Sequence, residues 1–185
     1  MIIQKQIMNS QPFLIHNNSA LFIDRDGVLN KLRVNDYVKQ ISELELLPEV
    51  YPALKILRPL FKRIFIVTNQ QGIGKKIMID SIDSIHSHLL SLIANELLPD
   101  KIYHCPHLKE LGCVCRKPNT GMALMAKNDY PEIQLTHSFM IGDSISDMEF
   151  AKNSGMRPIF ISKSENNEFP TFTSILDFAI ALIKK

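Results

Sequence analysis

The sequence lacks the features that would assign it to several broad classes at once. Neither sign of charge dominates: 21 lysines and arginines face 19 aspartates and glutamates, a formal net charge of +2. So small a balance, with its basic residues scattered, carries no footprint for nucleic acid or an anionic membrane. Long apolar runs are missing too; Leu89 to Leu98 is broken by Ser91, Asn95 and Glu96, so no membrane span is expected. Met1 to Ser10 holds one lysine and no sustained apolar stretch, which speaks against a secretory signal and for the cytoplasm. Cysteine is scarce: three residues, all between Cys105 and Cys115. An odd, clustered set suits metal ligation better than disulfides. Internal repeats, low-complexity tracts and a dividing linker are likewise absent. A monomer is expected.

What is present reads as one domain. The 185 residues, 45% hydrophobic and 22% charged, are enough for a substantial core. Residues 1–19 look like an N-terminal extension, and 20–185 like a single domain. Short apolar runs at Ala20–Ile23, Arg63–Val67, Lys101–His104, Phe139–Ile141 and Ile159–Ile161 alternate with helical patterns at 50–60, 79–98, 122–127, 145–153 and 175–183. The 79–98 helix is expected to be capped by Asp80 or Ser81 and stopped by Pro99. Alternation of this kind, with strands apolar throughout, predicts an α/β fold with a parallel sheet covered on both faces. Sites in such sheets gather at the carboxyl ends of the strands. Asp24, Thr68, His104-Cys105 and Gly142-Asp143 all follow expected strands, so four polar clusters converge on one edge.

Each cluster has its own chemistry. Asp24 and Asp26, two apart at a strand end, point their carboxylates to the same side, and Gly27 turns the chain at once. Two close carboxylates call for a divalent cation, and oxygen ligands suit magnesium. A solvated turn explains the tetrapeptide alone equally well. Thr68, Asn69 and Gln70 offer a hydroxyl, amides and main-chain N–H groups to phosphate oxygens. Arg116-Lys117 places two cations where either can pair with a carboxylate or phosphate. Asp143 suits the metal; Asp147, in the first turn of its helix, either ligates it or braces the loop. Cys105, His107, Cys113 and Cys115 form two pairs, C-x-H and C-x-C, that fit a closed tetrahedral zinc site of structural type, with His104 a competing ligand.

The set Asp24-Arg25-Asp26-Gly27, Thr68-Asn69-Gln70, Arg116-Lys117-Pro118 and Gly142-Asp143-Ser144-Ile145-Ser146-Asp147 resembles the four motifs of the haloacid-dehalogenase-like (HAD-like) phosphatases, in order, over roughly Ala20 to Ile161. The resemblance implies a Rossmann-like three-layer sandwich with a mostly parallel sheet. Asp24 would be the nucleophile that forms an aspartyl-phosphate, and Asp26 the acid and base. Thr68 and Lys117 would stabilise the transferring phosphoryl group. Magnesium would be held by the side chains of Asp24 and Asp143 and the main-chain carbonyl of Asp26.

Cys-Pro-His followed by Cys-x-Cys-Arg-Lys-Pro is similar to the zinc-loop branch, which has little or no cap domain and contains the heptose bisphosphate and histidinol-phosphate phosphatases. That branch implies a small phosphorylated metabolite as partner. Tyr37, in Asp36-Tyr37-Val38, matches the substrate-side loop of the heptose enzymes, and Arg116 their substrate-recognising arginine. Lys31, Arg33 and Lys39 against Asp36 make that loop basic, which favours a doubly phosphorylated substrate, D-glycero-D-manno-heptose 1,7-bisphosphate losing its 7-phosphate. The short zinc loop is closer to the histidinol type, the alternative. A non-catalytic, zinc-stabilised binding protein is the reading of another class; it has no need for both Asp24 and Asp26.

Overall fold

The computed structural model of the protein describes residues 13–164 and 166–184. In chain order it has β1 (Ala20–Ile23), α1 (Val50–Leu57), β2 (Arg63–Asn69), a short α2 (Gln71–Gly74), α3 (Ile82–Ser91), β3 (Lys101–Cys105), α4 (Gly121–Asp129), β4 (Phe139–Gly142), α5 (Ile145–Asn153), β5 (Arg157–Ile161), β6 (Thr171–Phe172) and α6 (Ile175–Ile183). The strands form one parallel sheet in the order β3-β2-β1-β4-β5-β6. Order reverses at β1, and the carboxyl end beside such a reversal is where a crevice opens in a doubly wound sheet.

The side-chain alternation of buried strands divides the core in two. Leu21, Ile23, Ile64, Ile66 and Ile141 face α1, α3 and α6 through Leu54, Leu89 and Phe178. Ala20, Phe22, Phe65, Val67 and Met140 face α4 and α5 through Met122, Ala126 and Phe150. Every residue of β1 is buried, so each large side chain adds about 1.5–3 kcal/mol of burial, a maximum because unfolded chains are already compact. This is the expected three-layer sandwich. Among the described residues no separate cap domain covers it, and no helix is long and apolar enough to cross a membrane.

One expectation is corrected, and one strand is added. The helix expected over 79–98 runs from Ile82 to Ser91, and a 3-10 turn follows at Asn95–Leu97. Ser91 Oγ donates to the His88 carbonyl (2.7 Å), a local alternative to the helical ladder, while Ile93 and Leu97 turn into the core. Ser81 is the cap, accepting from Ser84 N; Asp80 instead accepts from Ile41 N at 2.7 Å. Strand β6, with two residues, is too short to leave a periodic pattern. Of the expected extension, residues 1–12 lie outside the described residues; within 13–19, Phe13 packs its ring 5.7 Å from Phe178 and 6.2 Å from Phe139, and Lys62 N donates to Ser19 O.

Candidate active site

The carboxyl end of β1 carries Asp24, whose main-chain N–H is already taken by Ile141 O of β4 (2.9 Å). The chain must then turn away. Gly27 does this at φ +91°, and a Cβ there would lie 1.9 Å from Asp143 Oδ2. Glycine is required twice over, by the left-handed backbone and by the carboxylate pressed against it. Gly27→Ala is therefore expected to lower stability modestly and to push Asp143 out of place. Were Asp143 to hold a divalent metal, the affinity for added magnesium should fall about 10–100-fold, as when a group that orients a metal ligand is lost; an unchanged metal titration would refute the link.

Lys117 joins the motifs. Its Nζ, almost wholly buried, donates to Asp24 Oδ1 (2.7 Å) and Val67 O (2.8 Å) and pairs with Asp147 Oδ1 at 2.6 Å. Burial pulls its pKa down, but Asp147 and Asp24 outweigh that and hold it above the usual lysine range. Burial pushes Asp24 well above the ordinary carboxylate range; Lys117 opposes, while Asp147, Asp26 and Asp143 add to the rise. Burial and Asp147 likewise raise Asp143 to about 6. The pocket thus holds more negative charge than its own cations neutralise.

Asp26 is held differently. Arg25 Nη2 donates to both of its oxygens (3.1 and 2.9 Å), Asn30 Nδ2 to Oδ1 (3.0 Å) and Gln70 Nε2 to Oδ2 (2.8 Å). Burial alone would raise its pKa; the Arg25 charge and these hydrogen bonds bring it below the usual value. Arg25 and Asn30 have roles that the motif reading did not assign. A signal was available for Arg25, since strand alternation turns the residue between two cleft carboxylates the other way.

Several expected binders are also engaged within the protein. Gln70 is fully buried, and its Nε2 donates to Asp26 and Thr68 Oγ1 (2.8 Å each). Asn69 clamps the main chain of Lys117, accepting from its N (3.0 Å) and donating to its O (3.2 Å). Arg116 is half-buried next to Lys117 and does not line the cleft over Asp24. Tyr37, Thr68 and Asn69 line this cleft, of about 190 Å³, as do Asp24, Asp26, Lys117 and Asp143. The loop cations already meet carboxylates. Arg33 lies 3.5 Å from both Asp36 and Glu43, Lys39 pairs with the same two acids, and Lys31 lies 3.2 Å from Glu45. Exposed pairs of this kind are weak, so they reduce the charge argument for a bisphosphate without removing it.

The carboxylates whose oxygens approach within 4.8 Å of one another are Asp24, Asp143 and Asp147. Asp26 contributes no side-chain oxygen to this group, consistent with the main-chain role expected of it. Asp147 is already occupied: its Oδ2 accepts from Ser144 Oγ (2.6 Å) and N (3.1 Å) in a capping box, and its Oδ1 meets Lys117. These contacts tie Asp147 to the loop and to Lys117, while Asp24 and Asp143 could hold a metal. Hard oxygen donors bearing excess negative charge fit magnesium.

On the neighbouring strand end the four expected zinc ligands converge. Cys105 Sγ lies 3.4 Å from Cys113 Sγ and 3.1 Å from Cys115 Sγ, and His107 Nδ1 lies 3.1 Å from Cys115 Sγ. These separations exceed an S–S bond of about 2.05 Å and come near the ~3.8 Å edge of a tetrahedron with Zn–S of about 2.3 Å. The donors fit zinc. His104 instead packs edge-on against His86, 5.5 Å away, and is no ligand.

Residues 114–168 match the HAD-hydrolase-like family. The D-glycero-alpha-D-manno-heptose-1,7-bisphosphate 7-phosphatase of Mycobacterium tuberculosis is 42% identical over 137 residues, 72% of each chain. The histidine biosynthesis bifunctional protein HisB of Blochmanniella floridana is 35% identical over 147 residues, which are 77% of this chain but 41% of that protein. Among solved structures, a D,D-heptose 1,7-bisphosphate phosphatase from B. bronchiseptica, complexed with magnesium and phosphate, superposes with a TM-score of 0.77. It is 24% identical, and the match covers 89% of this chain and 98% of that one.

Proposed function

The chain belongs to the HAD-like phosphatases, in the family of the heptose-1,7-bisphosphate 7-phosphatases, and we propose that it removes the 7-phosphate of D-glycero-D-manno-heptose 1,7-bisphosphate. The observation that carries the chemistry is the buried meeting of Asp24, Lys117 and Asp143 at the reversal point of the sheet, with Asp26 two residues on. A free Asp24 oxygen attacks phosphorus in line, the bond to the sugar oxygen breaks, and Asp26 delivers a proton to that oxygen. A phosphate dianion brought next to Asp26 raises its proton affinity, so arrival of substrate prepares the acid. Asp26 then takes a proton from water, which attacks the aspartyl-phosphate and releases inorganic phosphate. Lys117 neutralises charge on the phosphoryl oxygens. Gln70 donates to Thr68 Oγ1, which leaves the threonine proton free for the same oxygens. Magnesium, held by the carboxylates of Asp24 and Asp143 and the Asp26 carbonyl, would supply the remaining neutralisation. Residues 20–185 act as one catalytic domain, with the cysteine–histidine loop clamped by zinc.

The substrate rests mainly on the higher identity and fuller coverage of the heptose relative than of HisB, since the loop charges are already partly paired. Phosphate release is to be compared for heptose 1,7-bisphosphate and histidinol phosphate, with magnesium and after chelation. We expect magnesium-dependent turnover, with kcat/KM for the bisphosphate higher by about 100-fold or more, as when a binding site matches one partner's polar groups. Preference for histidinol phosphate would reverse the substrate assignment. Failure on every phosphoester would leave a zinc-stabilised binding protein.

A further inference from the structure

Arg25 stands between the two cleft aspartates yet has no exposed surface at all. Its main-chain carbonyl accepts from Leu29 N (2.9 Å) and Asn30 N (3.0 Å), which ties the turn that carries Asp26. Of its side-chain nitrogens only Nη2 has a partner; Nε and Nη1 are buried and unpartnered among the described residues. Nearby in the α3 layer, His86 is buried too, and its Nε2 also lacks a partner. Burial and then the Arg25 charge push that imidazole down to about 3, so it is neutral and adds no competing charge.

Burying a guanidinium with two idle donors is unfavourable, and an apolar side chain of similar volume would fill the space with less loss. What the arginine alone provides is a single nitrogen spanning both oxygens of Asp26. The carboxyl group can accept a proton on one oxygen and stay tied through the other. Asn30 and Gln70 grip one oxygen each and cannot do this.

We propose that Arg25 is a positioning residue that keeps Asp26 aimed at the leaving oxygen through the protonation cycle, and so sets the enzyme's power to expel a poor, alkoxide leaving group. The inference rests on Asp26 being the general acid. It predicts a dependence on leaving group that a purely structural arginine would not produce. Expulsion of an alkoxide needs the proton; expulsion of a nitrophenolate does so far less.

The test measures kcat/KM, which reports the steps through phosphoryl transfer, for the sugar bisphosphate and for p-nitrophenyl phosphate. The enzymes are the parent, Asp26→Asn, Arg25→Gln and Arg25→Lys. A positioned acid contributes about 10²–10⁴-fold. Arg25→Gln should therefore lose roughly 100-fold or more on the sugar phosphate but under about 10-fold on the aryl phosphate, as should Asp26→Asn. Arg25→Lys, which keeps the buried charge, should recover part of the selective loss, and it carries the test if Arg25→Gln does not fold. Equal losses on both substrates for the arginine variants, alongside a selective loss for Asp26→Asn, would overturn the role of Arg25. Equal losses for Asp26→Asn itself would overturn the acid assignment, and the role of Arg25 with it.

Discussion

Asp24→Asn is expected to reduce kcat by on the order of 10⁴–10⁶-fold, the range seen when a nucleophile is removed from a working site. The fold should survive. An amide is the same size as the carboxylate but is not a competent nucleophile for phosphorus. Removing one partner of a buried ion pair usually destabilises by about 3–5 kcal/mol, because the other charge is stranded. Here Lys117 is not stranded, since Asp147 lies 2.6 Å from its Nζ and remains. The substitution also removes a carboxylate whose ionised form is opposed by burial and by Asp147, Asp26 and Asp143. The melting temperature should therefore stay level or rise. Phosphate release and a thermal melt on the same preparation decide the matter; activity like the parent's would end the nucleophile assignment, and a collapsed melt would show that Asp24 mainly holds the fold.

Stripping the cysteine–histidine cluster of zinc should produce the largest loss of stability. Structural zinc binds only the folded loop, so it stabilises by mass action, about 4 kcal/mol at a thousandfold excess over its dissociation constant. For a chain of this size that corresponds to a drop in Tm of roughly 8–16 °C on chelation, at about 2–4 °C per kcal/mol. The loop has little else to hold it: Leu111 and Val114 are exposed, and His107 lies at the surface. Activity should fall as well, since Cys115 is two residues from Lys117. Cys115→Ser should reproduce both effects. Metal analysis, melting curves and the reactivity of the three thiols toward a maleimide check this together. A metal-replete preparation without about one zinc per chain would contradict the four-ligand site.

The parts of this protein that were legible in its sequence are those governed by local rules. β1 reads correctly because a short apolar run followed at once by a turn suits a strand buried on both faces. Asp24 and Asp143 are placed by the strands that precede them, Thr68 by the strand whose end it occupies, and the cysteine–histidine cluster by its spacing. What could not be read depends on which groups meet across the fold. Gln70 and Asn69 look like phosphate binders because an amide after a strand is free until something distant occupies it. The occupants are Asp26 in one case and the Lys117 main chain in the other, 44 and 48 residues away. Arg33 and Lys39 looked available for the same reason, until Glu43 folded back on them. The early end of α3 reflects Ile93 and Leu97 finding the core, which no helical period records.

The pairing of Lys117 with Asp24 spans 93 residues of chain. Lys117 follows β3, which pairs with β2 and not with β1, so the contact closes a long loop of chain. Contacts of such long range are expected late in folding, since their loop-closure entropy must be met by other interactions. A partly folded chain, even one with most of its helices and half its sheet, therefore has a carboxylate without a counter-ion and no working phosphoryl pocket. Among the observables of refolding, recovered phosphatase turnover is the one that marks completion.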